Sequence, residues 1–460
     1  MLHRKGAARF EMDMTRGAIL PKVLRFSLPL MASGILQLLY NAADIIVVGR
    51  FAGAQSLAAV GSTSSLINLL VNLFIGISLG ASVITARDYG AGDVEAVQRD
   101  VHSAVTLGLL SGFGVGIAGF FLSRPLLEAM GSPEDVIDLA ALYVRIYFLG
   151  MPFNLLYNFG AALLRAVGDT RRPLIYLTVS GLVNLALNLL LVIVFHMDVA
   201  GVAIATIASQ AVSMALVMIT LVRSDTLIRL NLRGLTLHGR TVRRILGVGL
   251  PAGLQSSLFS FSNVLIQSSI NSFGSLVMAG SAASSSVEGF VYTSMNALAQ
   301  ADMTFASQNM GAGQNSRVRR TLWICLGTVV AVGLSVGGIV LLLGPTLLGL
   351  YNTDPQVIAF GMDRLRIIVS TYFLCGMMDV LACHMRGVGY SVLPMVVSLS
   401  GACLFRIVWI WTFFAASPSP ENLYISYPIS WALTAFIHML TWLIARKKLM
   451  GPDRLREENA

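Results

Sequence analysis

RAVGDTRRPL, residues 165–174, returns as RGVGYSVLPM at residues 386–395, an offset of 221. The same offset carries Gly168 to Gly389, Pro173 to Pro394 and Arg145 to Arg366. It also carries Gly90 of YGAGD (89–93) to Gly311 of MGAGQ (310–314). Pro29 and Pro251, near the start of each copy, lie 222 apart. Self-similarity at one long, fixed offset marks an internal duplication.

Composition places that duplication in a membrane. Of 460 residues, 55% are apolar and 12% charged, about half the roughly 25% charge of a soluble domain. A soluble enzyme, a disordered chain and a coiled coil are all excluded. Apolar runs long enough to span occur at 23–49, 57–85, 101–123, 136–163, 173–196 and 199–222, then at 245–270, 276–306, 321–343, 357–384, 392–416 and 424–445. In lipid such runs must be helical, because each backbone group has to be satisfied within its own segment. The expected fold is an all-α integral membrane protein with twelve transmembrane helices in two six-helix lobes. Six spans per copy return the chain to its starting side, so the repeat is parallel, about an axis along the membrane normal. The parts expected are an N-terminal tail (1–22), an N-lobe (23–222), a basic linker (223–244), a C-lobe (245–445) and a C-terminal tail (446–460). No segment is long enough for a separate soluble domain. The first 22 residues are charged and lack an apolar core, so no secretory leader is expected.

Net charge is +9, from 32 basic and 23 acidic residues. With both tails and the linker in the cytoplasm, every basic residue lies inside except Arg50, Arg124, Arg145, Arg364, Arg366 and Arg406. The positive-inside rule therefore favours a multi-pass protein of the cell (inner) membrane with both termini cytoplasmic. The charge reports topology; no nucleic-acid partner is expected, and the chain reads as a monomer in the bilayer.

Several motifs carry no chemistry. Gly114, Gly116 and Gly119 spell G-x-G-x-x-G, but within an apolar helix that no strand precedes. Gly108, Gly112 and Gly116 instead form a small-residue face for close helix packing. Cys325, Cys375, Cys383 and Cys403 fall in apolar runs without ligand spacing and read as buried and unpaired. Of the histidines, His3 and His238 lie in polar segments and the rest near span ends. No metal site, cofactor or catalytic constellation is expected.

Acids inside spans are informative, since an ionisable group there is costly and by default marks an ion path. Asp44 lies in LYNAADIIVVG (39–49), in the outer half of the first span, and no basic side chain of the first lobe sits at comparable depth. Asn184 and Asn188 are one turn apart and share a helix face, and Thr206 is on the sixth span. A carboxylate, two amides and a hydroxyl offer either a proton site or an oxygen cage for Na⁺.

At these residues the chain resembles the MATE (multidrug and toxic compound extrusion) transporters of prokaryotes. LPLMASGILQLLYNAADIIVVG (28–49), AVGDTRRP (166–173), the text around 201–206 and the duplicated GAG loops all look like that family, from about residue 17 to 446. The resemblance implies a hinge at Pro29, a coupling acid at Asp44, and Tyr40, Asn184 and Thr206 as its neighbours. One departure is Asn188, where relatives often carry a second Asp. A single carboxylate suffices for H⁺ and gives a Na⁺ site less negative charge.

Gln37, Asn41, Asn154 and Asn158 are candidates for a substrate cavity in the first lobe, and Glu288, Asp379 and Arg406 in the second. Glu288 and Arg406 are at similar depth, about 15 Å from the outer face, and are expected to pair. Asp302, near the cytoplasmic end, is expected to be solvated. The function implied is export of amphipathic, often cationic, small molecules in exchange for H⁺ or Na⁺. A lipid-linked glycan flippase of the same broad superfamily is the rival, and would call for more intramembrane cations than Arg406. A membrane-embedded enzyme would need a nucleophile–base or metal set that the spans lack.

Overall fold

The computed structural model describes residues 10–131, 134 and 136–450. Residues 1–9 and 451–460 of the two tails, with Arg4, Lys5, Arg9, Arg454 and Arg456, lie outside the described residues. The chain is helical throughout its spans, and no strand occurs among the described residues.

In the first half, α1 (Ile19–Val47), α2 (Gly53–Ala91) and α3 (Val94–Ala129) are long single helices. α4 (Ile137–Leu149) and α5 (Met151–Ala166) form one span bent by 47°. α6 (Arg171–Asn188) and α7 (Asp198–Val222) complete the set. In the second half come α8 (Gly239–Asn271), α9 (Ser275–Gly311) and α10 (Asn315–Leu342). The short α11 (Gly344–Gly349) leads to α12 (Pro355–Ser370) and α13 (Tyr372–Gly387), again one span, bent by 45°. α14 (Val392–Ser398) and α15 (Phe405–Trp409) lie along the eleventh span, and α16 (Pro420–Met450) is the last. Among the described residues, nine helices are long and apolar enough to cross a membrane, and the two bent pairs bring that to eleven. The twelfth is α9, whose buried Ser281, Ser284, Glu288 and Asp302 lower its hydropathy.

The duplicated motifs are loops with the same job in both halves. Gly92 and Gly313 take positive φ (73° and 70°), as do Gly168 and Gly389 (89° and 110°). L side chains rarely adopt that conformation, so glycine recurs where a helix must end. In YGAGD, the Gly92 N–H then bonds back to the Asp88 and Tyr89 carbonyls, while Asp93 caps α3 by accepting from the Ala96 N–H (2.9 Å). In RAVGDTRRPL, Asp169 accepts from the Arg172 N–H (3.1 Å) at the start of α6.

Contacts divide the described chain into two units, residues 32–253 with 10–13, and residues 254–450 with 14–31. In the first unit, the α3 glycines pack as expected, Gly112 against the Pro152 backbone and Gly116 against the Phe148 carbonyl. Gly76 of α2 and Gly253 of α8 come closer still, and a Cβ on Gly76 would overlap the Gly253 backbone. Gly76→Val should therefore cost about 1–3 kcal/mol or more through overpacking, read as a lowered melting temperature of the detergent-purified protein. Gly247→Ala, where a Cβ meets open space, should leave it unchanged. All four cysteines are buried and free. Ile117, Phe121, Leu342 and Trp411 are exposed, as a lipid-facing surface requires.

Candidate cation and substrate sites

In the first unit, the last turn of α1 lies against α6. Tyr40 packs its ring on Gly181, where any Cβ would collide with it, and its hydroxyl donates to the Thr178 carbonyl (3.4 Å). One turn along α1, half-buried Asp44 accepts from Asn188 Nδ2 at 2.6 Å, and the same amide nitrogen donates to Asn184 Oδ1 at 3.1 Å. Positions 181, 184 and 188 share one face of α6, so Tyr40 and Asp44 on α1 meet that face in register. Asn188 has no exposed surface, Asn184 is 6% exposed, and Asn188 Oδ1 is buried with no hydrogen-bond partner. A buried carbonyl oxygen without a donor is uncommon and calls for an explanation. Beside a carboxylate it is a ready ligand for a cation.

The helices are irregular at this point. A π-helical turn, Val48–Ala52, follows α1 one turn beyond Asp44, and another, Leu189–Val194, follows α6 directly after Asn188. Such turns are frequent at functional sites. Thr206 donates to the Val202 carbonyl of its own helix (2.9 Å), and no hydrogen bond joins it or Tyr40 to Asp44 among the described residues. Gln37 and Asn41 are exposed on α1, whereas Asn154 and Asn158 are half-buried on α5 and joined by a 3.0 Å amide hydrogen bond.

The second unit corrects two expectations. Glu288 does not pair with Arg406. It binds Arg364 of α12 through both oxygens (2.8 and 2.9 Å), with Ser281 accepting from Arg364 (2.8 Å) and Ser284 donating to Glu288 (2.9 Å). Both charges are 5% exposed. Arg364, counted above with the outer-side arginines, lies more than two turns inside α12 and is enclosed beside Glu288. Arg406 instead donates to Ser430 Oγ (2.9 Å) and lies over the Tyr427 ring at 4.1 Å, with Trp431 at 5.6 Å. Nor is Asp302 solvated: it has no exposed surface and shares a 2.8 Å hydrogen bond with His384, which is equally enclosed beside Trp442. Apolar depth along one helix says nothing of the α13 and α16 side chains that cover it.

Asp379 stands at one end of an aromatic row. Half-buried Asp379 faces Tyr292 and Asn296. Tyr292 is followed by Tyr372 (6.4 Å), Trp431 (5.1 Å) and Tyr427 (5.6 Å, centroid to centroid). Buried Arg386 donates to Gln255 at 2.6 Å. Arg364, His384, Arg386 and the row were not singled out in the sequence; an arginine within a predicted span was the one signal available.

The MatE family profile matches residues 29–190 and again 251–412. The chain is 28% identical over 394 residues to the probable multidrug resistance protein YpnP of Bacillus subtilis (strain 168), covering 86% of this chain and 88% of that protein. It is 24% identical over 390 residues to the FAD transporter of Shewanella oneidensis, covering 84% and 86%. The fold matches that of a crystallised MATE in complex with MaL6 at a TM-score of 0.90, with 22% identity and coverage of 97% and 99%. Two copies of the family profile laid along a twelve-helix membrane fold make this chain a member of the MatE family, a transporter of the multidrug and toxic compound extrusion type and not an enzyme.

Proposed function

We propose that the protein exports amphipathic, often cationic, small molecules in exchange for an inward-moving cation that binds at Asp44. The observation that carries this reading is the Asp44–Asn188–Asn184 chain, with the unpartnered Asn188 Oδ1 at its buried end. A proton on Asp44 would remove the charge that Asn188 grips. A Na⁺ ion would use the carboxylate and the amide oxygens, with only one formal negative charge to neutralise it. Either event alters the bond between α1 and α6, and Pro29, inside α1 with no N–H to donate, is the proposed hinge. Exchange requires only that cation and substrate prefer different conformations by a few kcal/mol. The relatives described as multidrug resistance proteins support the choice of substrates.

The lobes at 23–222 and 245–445, joined by the 223–244 linker, belong to the same proposal, as does the cytoplasmic placement of both termini. Compartment-sensitive reporters inserted in the linker and fused after Lys448 should both report the cytoplasm. A periplasmic signal from either would overturn that topology.

A second reading rests on Arg406, whose buried guanidinium has no carboxylate partner among the described residues and an unpartnered Nη2. It favours substrates that combine a carboxylate or phosphate with a flat ring, and the FAD transporter among the relatives makes this concrete. Energised proteoliposomes offered a cationic dye or FAD separate the two. Gradient-dependent movement of the dye, with and without a proton-gradient collapser, supports the first; movement of FAD alone supports the second.

A further inference from the structure

Where α3 and α8 begin, the first unit contains a cavity of about 540 Å³ lined by Arg99, His238, Gly239, Arg240, Thr241 and Arg244. That volume is within the range of small-molecule sites, about 300–1,000 Å³, and none of the six residues belongs to the Asp44 constellation. We propose that this cavity binds a phosphate group, that of an anionic lipid headgroup.

The charge balance comes first. Arg244 is held by Asp88 through two hydrogen bonds (2.8 and 2.9 Å), with buried Asp100 close by, so its charge is largely matched. Arg99 forms its one ion pair among the described residues with Glu95, at 3.5 Å and with the side chains 44% and 87% exposed. Such a pair is worth little, and buried Asp100 interacts with Arg99 more weakly than with Arg244. Arg240 has no carboxylate partner among the described residues. Arg240, and Arg99 with only its weak pairing, are therefore open to an anion. Between them begins α8, whose first N–H groups have no partner within the helix and whose dipole favours negative charge.

The walls are also fixed in advance. The linker is pinned to α3 by Gln98 donating to the Leu227 carbonyl (2.6 Å) and by the Asn231 N–H donating to His102 Nε2 (3.2 Å). With Nε2 accepting, His102 Nδ1 carries the proton and donates to the Gln98 carbonyl (2.7 Å). The His238 N–H donates to Ser103 Oγ (3.2 Å), which sets the position of Gly239 and the first turn of α8. Planar guanidinium forks and converging N–H groups suit a tetrahedral anion with several acceptor oxygens. Both helices that open at the cavity are apolar spans, so their first turns lie at headgroup depth, where basic pockets recruit anionic lipids.

The test uses the purified full chain in neutral detergent with acyl-labelled phosphatidylglycerol, and labelled phosphatidylcholine as the neutral control. Arg99→Gln with Arg240→Gln should weaken phosphatidylglycerol binding about 25-fold, at about fivefold per arginine, and leave phosphatidylcholine unchanged. Arg229→Gln with Arg233→Gln removes the same charge from outside the cavity and should change binding less than about twofold. Equal losses in the two pairs, or none in either, would overturn the proposal. Competition by millimolar inorganic phosphate would assign the free anion as an occupant of the same phosphate site; its failure to compete would assign the lipid.

Discussion

Asp44→Asn is expected to leave the protein in the membrane and able to bind substrate, yet to abolish export driven by an ion gradient. Asparagine keeps the size of the side chain and can still accept from Asn188 Nδ2, so the α1–α6 contact loses about 1 kcal/mol at most. What it removes is the ionisable group, and with it any difference between cation-loaded and cation-free states. A coupling free energy of about 1–3 kcal/mol then falls to zero. Efflux from proteoliposomes driven separately by pH and Na⁺ gradients should drop to the unenergised rate, with substrate affinity within about threefold of wild type. Asn188→Asp restores a second carboxylate beside the first, and should shift preference toward Na⁺ or extend transport to higher pH. Wild-type export by Asp44→Asn would sink the mechanism, whereas unchanged ion dependence in Asn188→Asp would remove only the selectivity argument.

The second large effect concerns the enclosed ion pair of the second unit. Glu288→Gln or Arg364→Gln alone should cost about 3–5 kcal/mol, because each strands an opposite charge away from water. Both together should cost less than the sum by about 2 kcal/mol or more, the mark of direct interaction. Arg406→Gln, which loses one hydrogen bond to Ser430 and the stacking on Tyr427, should cost about 1–2 kcal/mol and add to Glu288→Gln without coupling. Thermal unfolding of the three single and two double variants in one detergent measures the whole set. Coupling between Glu288 and Arg406 instead of Arg364 would contradict the geometry.

The architecture was legible because lipid demands it: an apolar run of helical length has one way to satisfy its backbone, and a fixed offset of 221 shows in any alignment of the chain with itself. The contact between Asp44 and Asn188 was legible for related reasons. One was a lone acid in an apolar run, and the other sat four residues from a second amide on the same face. The partner of Glu288 was not. Depth counted along one helix could not choose between Arg364 and Arg406, which both lie in apolar runs; only the rotation of α12 and α9 decides. Asp302 failed for the same reason, since its enclosure depends on His384 and Trp442 from other helices. The bends at Gly150 and Thr371, and the π-turns after Asp44 and Asn188, leave no mark in a hydropathy pattern that has no register to break.

Ion-coupled exchange is tested most directly by running it backwards. In proteoliposomes with no imposed ion gradient, a substrate gradient alone should drive H⁺ or Na⁺ in the opposite direction, because coupling between two ligands is reciprocal. The account predicts counter-movement of one of these ions in the wild type, read by an internal pH or Na⁺ indicator, and none in Asp44→Asn. Substrate movement in the wild type with neither ion moving against it would contradict it.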